Sequence, residues 1–117
     1  MATFKVTGGL KLKGDLHPQG AKNEALQVLC AVLLSPEEII IENVPNIRDI
    51  NILIDLLRAL NVKVKKIDES IYSFCSDEIN IDYLSSESYK SKSSRIRGSI
   101  MIVGPLLARF GKGFIPK

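Results

Sequence analysis

Apolar and polar positions along this chain change period abruptly several times, and each change marks a predicted element. Phe4-Lys5-Val6 and Leu10-Lys11-Leu12-Lys13 alternate, which predicts two short strands separated by a Gly8-Gly9 turn and closed at Gly14. Asp15 to Gly20, punctuated by Pro18 and Gly20, reads as a loop. From Asn23 to Leu34 the apolar residues fall nearly all round a helix, so burial on most sides is expected, and Ser35-Pro36 ends it. Glu38-Ile39-Ile40-Ile41-Glu42 is a β-branched run of strand length, closed by Val44-Pro45. Ile47, Ile50, Leu53, Ile54, Leu57 and Leu60 then recur at three- and four-residue steps, the stripe of an amphipathic helix, and Asn61 suits its left-handed end. Val62 to Lys65 and Ile71 to Cys75 alternate on either side of Asp68-Glu69-Ser70, the pattern of a hairpin.

The remainder is less regular. Ile79 and Ile81 suggest a short strand, and Tyr83 to Ser94, polar and serine-rich, reads as a surface loop. A last helix is expected from Ser94 to Phe110, kinked at Gly104-Pro105 and stopped by Gly111, with Gly113-Phe114-Ile115 opening another strand. Strands alternating with helices predict a layered α/β (α+β) domain with a partly parallel sheet. The chain stops at Pro116-Lys117 as an element begins, which predicts a truncated chain.

Composition narrows the class. At 117 residues, 45% hydrophobic and 25% charged, the chain has the length of one domain and the balance of an ordinary globular protein, which excludes disordered and fibrous classes. Aromatic content of 6%, without Trp, speaks against a module that stacks bases on aromatic platforms. The net charge of +3 is unevenly spread: Lys90, Lys92, Arg95, Arg97, Arg109, Lys112 and Lys117 face only Glu87 beyond Ser85. A basic end suggests an anionic partner, with a solvated lysine-rich surface as the alternative. Cys30 and Cys75 sit in apolar runs outside any metal-ligand spacing and read as small buried hydrophobes in a reducing compartment. No signal-peptide pattern opens the chain and no apolar run reaches bilayer length, so a cytoplasmic location without membrane insertion is expected.

Two stretches carry candidate chemistry. In Gln19-Gly20-Ala21-Lys22-Asn23-Glu24 no side-chain cap precedes Lys22, and a cation at a helix N-terminus has the unfavourable sign. An anion shared by Lys22, the first backbone N–H groups and the Asn23 amide reverses that cost, with Gly20 permitting close backbone approach. A solvated lysine with Glu24 as counter-charge is the alternative. In Arg95-Ile96-Arg97-Gly98-Ser99, Arg97 with Gly98 and Ser99 suits a phosphate or sugar hydroxyl, against a pair of merely exposed arginines. His17 reads as a turn residue, and no nucleophile-base-acid constellation or metal-ligand cluster is visible.

The runs Gly20-Ala21-Lys22-Asn23-Glu24-Ala25-Leu26, Glu42-Asn43-Val44-Pro45-Asn46-Ile47-Arg48-Asp49, Arg97-Gly98-Ser99-Ile100 and Gly104-Pro105-Leu106-Leu107-Ala108-Arg109-Phe110-Gly111 resemble, collinearly, the enolpyruvyl transferases, and among them the UDP-N-acetylglucosamine 1-carboxyvinyltransferases. The resemblance implies an inside-out α/β barrel of βαβαββ units. Residues 1–20 would be strands belonging to the family's other domain, and 21–117 a partial domain of one unit plus the start of a second. It further implies transfer of the enolpyruvyl group of phosphoenolpyruvate to the 3-hydroxyl of UDP-N-acetylglucosamine with release of phosphate, the first committed step of peptidoglycan synthesis. Lys22 and Asn23 would contact phosphoenolpyruvate and Arg97 the UDP-sugar, with no cofactor, no metal and no nucleic acid involved. The catalytic acid, a Cys or Asp in the family, is expected beyond Lys117, so neither Cys30 nor Cys75 matches it, and the chain alone is expected to be inactive. Met101 departs from an aromatic common at its position. The shikimate-pathway enolpyruvyl transferase and a non-catalytic module binding anions or nucleic acid through the basic tail are the alternatives.

Overall fold

The computed structural model describes residues 2–115; Met1, Pro116 and Lys117, the last of which enters the charge tally above, lie outside them. The elements are α1 (Lys22–Ala31), β1 (Glu38–Ile41), α2 (Arg48–Ala59), β2 (Lys63–Asp68), β3 (Ile71–Cys75), α3 (Glu87–Ser93) and α4 (Val103–Phe110). Short 3-10 turns at Val32–Leu34, Ile81–Ser85 and Arg97–Ile102 join them. Helices and strands mix as expected for an α/β chain, and α1 to β3 supply the αβαββ part of a βαβαββ unit.

The sheet order is β1-β3-β2, and both pairings are antiparallel. This corrects the partly parallel expectation. The helical crossover through α2 does send β1 and β2 in the same direction, but the hairpin returns β3 between them, so the two parallel strands never touch. One row of the sheet, Ile39–Phe74–Val64, faces the helices. The stripe Ile50, Leu53, Ile54, Leu57 and Leu60 of α2 is buried as its spacing predicts, and α2 touches α1, α3 and β2. Asn61, at φ 72°, ends α2 in the left-handed region and donates its side-chain amide to the Glu78 carbonyl at 2.7 Å.

The expected strands within residues 1–20 are not formed: residues 2–21 hold neither helix nor strand, and Phe4 and Leu12 are 93% and 94% exposed. An alternating run has no ladder without a neighbouring strand, and none lies beside it. The extended segment lifts the radius of gyration to 17.2 Å, against roughly 13 Å for a compact chain of this length. Helix α1 is less enclosed than expected. Leu29 and Cys30 are buried, whereas Val28 remains exposed, as does Leu34 just beyond the helix.

Tyr83 to Ser94 is not a loop. Ser86 caps α3 by accepting the Tyr89 N–H at 3.1 Å, and Tyr89 enters the core against Tyr83 and Phe114. The expected kinked helix is instead a 3-10 turn followed by α4, with Pro105 in the first turn of α4, where its missing N–H removes no helix bond that needs it. Gly111 closes α4 at φ 71°, as its position predicts. Ile81 opens a turn rather than a strand, and Gly113 to Ile115 is irregular, with Phe114 half-buried. Cys75 is half-buried rather than buried, its thiol 3.4 Å from the Pro36 carbonyl.

Phe74→Ala is expected to lower unfolding free energy by about 3–5 kcal/mol, because the ring is fully buried at the sheet centre. Ile40→Ala, at a side chain 56% exposed on the other sheet face, is expected to cost less than about 1 kcal/mol. Chemical denaturation of both variants checks the contrast, and equal losses would contradict the packing.

Candidate functional site

The head of α1 is assembled by a close backbone approach. A Cβ on Gly20 would lie 2.0 Å from the Asn43 carbonyl oxygen and 3.3 Å from Pro45 Cδ, so no other residue fits without displacing the turn after β1. Asn43 itself holds φ 57°, and the next residue, Val44, donates its N–H to the Ser70 carbonyl at 2.8 Å. Gly20 therefore lies against the turn, and this contact joins two of the motifs. A cleft of about 320 Å³ lies between them, lined by Gly20, Ala21, Glu24, Glu42, Asn43 and Val44 among others.

Lys22 and Asn23 open α1 and are exposed, and no side chain caps the helix. Lys22 is not unpaired. Its ammonium lies 2.5 Å from the Asp49 carboxylate, on the first turn of α2, while Glu24 is not its partner. With side chains 48% and 38% exposed, the pair contributes little to stability. Neither Lys22 nor Asn23 lines the cleft of 320 Å³.

Arg97 begins the turn Arg97–Ile102 and is exposed, with no carboxylate among the described residues paired to it. Its neighbour Gly98 packs so closely on α1 that a Cβ there would meet Leu26 Cδ2 at 2.9 Å. Leu26 shares a helix face with Lys22 and Asn23, four and three residues earlier. The fold thus seats the Arg97 turn against the helix that carries the other two candidates. Ser99, in contrast, is buried and donates its hydroxyl toward the Ser93 and Ile96 carbonyls at 2.6 and 2.9 Å, so it is not available to a ligand.

Other candidates fall away. Arg109, counted within the basic end, turns inward and donates to the Leu33 and Ser76 carbonyls at 3.0 and 2.7 Å, with its guanidinium 4.7 Å from the Phe110 ring centroid. His17 is exposed in the irregular opening segment. Among the described residues no three His, Cys, Asp or Glu side chains group closely enough to hold a metal ion, and no helix is long and apolar enough to cross a membrane. A second cleft, of about 460 Å³, lies between Ile81–Ser85 and Gly111–Phe114, and none of Lys22, Asn23 or Arg97 lines it. Asp49 is the residue that the sequence reading passed over. Its signal was an acidic residue in the first turn of a helix, inside one of the recognised runs.

Comparison with known proteins gives a consistent picture. The family model for EPSP synthase (3-phosphoshikimate 1-carboxyvinyltransferase) matches residues 6–115. A UDP-N-acetylglucosamine 1-carboxyvinyltransferase of Bacteroides thetaiotaomicron is 48% identical over 117 residues, all of this chain and 27% of the relative. The protein of the same name in Porphyromonas gingivalis is also 48% identical over 100% of this chain and 27% of its own length. That of Wolinella succinogenes is 40% identical over 96% of this chain and 26% of its own length. The chain thus spans about a quarter of the length of these curated relatives. The enolpyruvyl transferase NikO from Streptomyces tendae shares the fold, with a TM-score of 0.66 at 21% identity over 89% of this chain and 23% of that one.

Burial pushes the Cys30 thiol from its usual 9.0 up to about 12. The folded state therefore holds this proton where the unfolded state has lost it, so the contribution of Cys30 to stability falls as pH rises from 9.0 through about 12. Alkylation of the native chain at pH 8 is expected to modify Cys75 and spare Cys30, and denaturant is expected to expose both. Equal native labelling, read by mass spectrometry, would contradict the burial.

Proposed function

The chain belongs to the EPSP synthase family, and from that premise we propose that it provides substrate-binding residues for transfer of the enolpyruvyl group of phosphoenolpyruvate to the 3-hydroxyl of UDP-N-acetylglucosamine. Phosphate is the other product, and the reaction is the committed step of peptidoglycan synthesis in the cytoplasm. The 48% identity to UDP-N-acetylglucosamine 1-carboxyvinyltransferases over the whole chain supports this acceptor over shikimate 3-phosphate. The single structural observation that carries the reading is the exposed Lys22–Asn23 pair at a helix start without a side-chain cap.

In this reading Lys22 and Asn23 receive phosphoenolpyruvate and Arg97 receives the UDP-sugar. The acceptor hydroxyl gives up its proton as its oxygen adds to C2 of phosphoenolpyruvate, and C3 gains a proton. One proton then leaves C3 as the C2–O bond to phosphate breaks, which regenerates the double bond in the product, and the phosphate departs with the proton that the hydroxyl gave up. Lys22 and the free N–H groups of α1 offset negative charge on the departing phosphate without reorganising. Asn23 holds the anion and the reacting hydroxyl in register. Proton transfer falls to groups outside residues 1–117, and residues 1–20 pack with a domain other than that of 21–117.

A chimera carrying residues 1–117 in place of the matching quarter of the Bacteroides thetaiotaomicron relative is expected to release phosphate from phosphoenolpyruvate only when UDP-N-acetylglucosamine is present. Lys22→Met in that chimera is expected to lower kcat/KM by at least about a hundredfold. A folded chimera that releases no phosphate, or one driven by shikimate 3-phosphate instead, would contradict the reading.

A further inference from the structure

We propose that Asp49 is a positioning residue for enolpyruvyl transfer: through its ion pair it holds the Lys22 ammonium in the direction from which phosphoenolpyruvate is bound. This rests on the reading of Lys22 given above. Lys22 is a flexible side chain on an exposed helix start, and a free lysine would spread its charge over many rotamers. The Asp49 carboxylate lies 2.5 Å from that ammonium. An ammonium has three N–H donors, so one bond to Asp49 leaves two for an anionic ligand.

The carboxylate is well placed to serve as an anchor. It sits in the first turn of α2, where the helix dipole favours a negative charge, whereas the same dipole in α1 opposes Lys22. Ile50, the next residue, is fully buried, and Asn51 donates its backbone N–H to the Ile47 carbonyl and its side-chain amide to Asn46 Oδ1, each at 3.0 Å. The anchor is thus set by the core stripe of α2 and by the braced turn before it. Glu24, two residues from Lys22 on the same helix, cannot substitute, because residues two apart on a helix do not face one another.

Steady-state kinetics of the chimera test this. Asp49→Asn is expected to raise the KM for phosphoenolpyruvate about tenfold, with the KM for UDP-N-acetylglucosamine changed by less than about twofold. Asp49→Glu, which keeps the charge, is expected to recover most of the loss, and in a Lys22→Met background Asp49→Asn is expected to add nothing. An unchanged or lowered KM for phosphoenolpyruvate, an equal rise in both KM values, or unfolding of the Asp49→Asn chimera at 25 °C would each overturn the positioning role. Turnover that survives Lys22→Met would instead remove the reading on which it rests, and the two failures are separated by that single variant.

Discussion

The contact on which the rest depends is the approach of the Gly20 backbone to the carbonyl of Asn43. With no side chain at residue 20, the strand-to-helix turn after β1 lies directly on the segment that enters α1. The two stretches are far apart in sequence, and each holds a motif that means little alone. Their contact brings the starts of α1 and α2 together, so that Lys22 meets Asp49. The core reinforces the arrangement from below, because the buried stripe of α2 and the buried end of α1 pack in one cluster. The two helix starts are thus held together by packing of the helices rather than by the strength of an exposed ion pair.

Much of the fold was legible where a single period ran long enough to bury one face. The Ile47-to-Leu60 stripe, the hairpin and the left-handed residues at Asn61 and Gly111 needed no tertiary information. The failures share a different cause. Phe4 to Lys13 has the alternation of strands, but a strand exists only beside a partner, and that partner is a tertiary fact. Helix α3 escaped notice because Ser86, Tyr89 and Ser93 are the residues that make it, and serine-rich composition masked one cap and one core ring. The direction of β1 relative to β3 was likewise invisible, since no local pattern says where a hairpin will insert.

Charge was the least transferable of the sequence signals. The basic end looked like a surface for an anion, yet Arg109 holds two carbonyls inside the fold and Lys90 lies 3.0 Å from Glu87. Lys63, outside that basic end, is taken up by Asp77 at 2.8 Å. Arg97 keeps its head exposed and is set by its glycine neighbour, packed on Leu26. Lys22 was legible as unusual because it contradicts the helix dipole. Its partner was not, because Asp49 belongs to another helix and only the fold relates them.

The most direct test of the Gly20 contact is Gly20→Ala in the chimera with the Bacteroides thetaiotaomicron relative, measured as phosphate release from phosphoenolpyruvate and UDP-N-acetylglucosamine. The added methyl group has no room against the Asn43 carbonyl, so the starts of α1 and α2 must separate, and turnover should fall by at least about tenfold. Turnover equal to that of the unsubstituted chimera would show that the two helix starts do not need this contact to form the site.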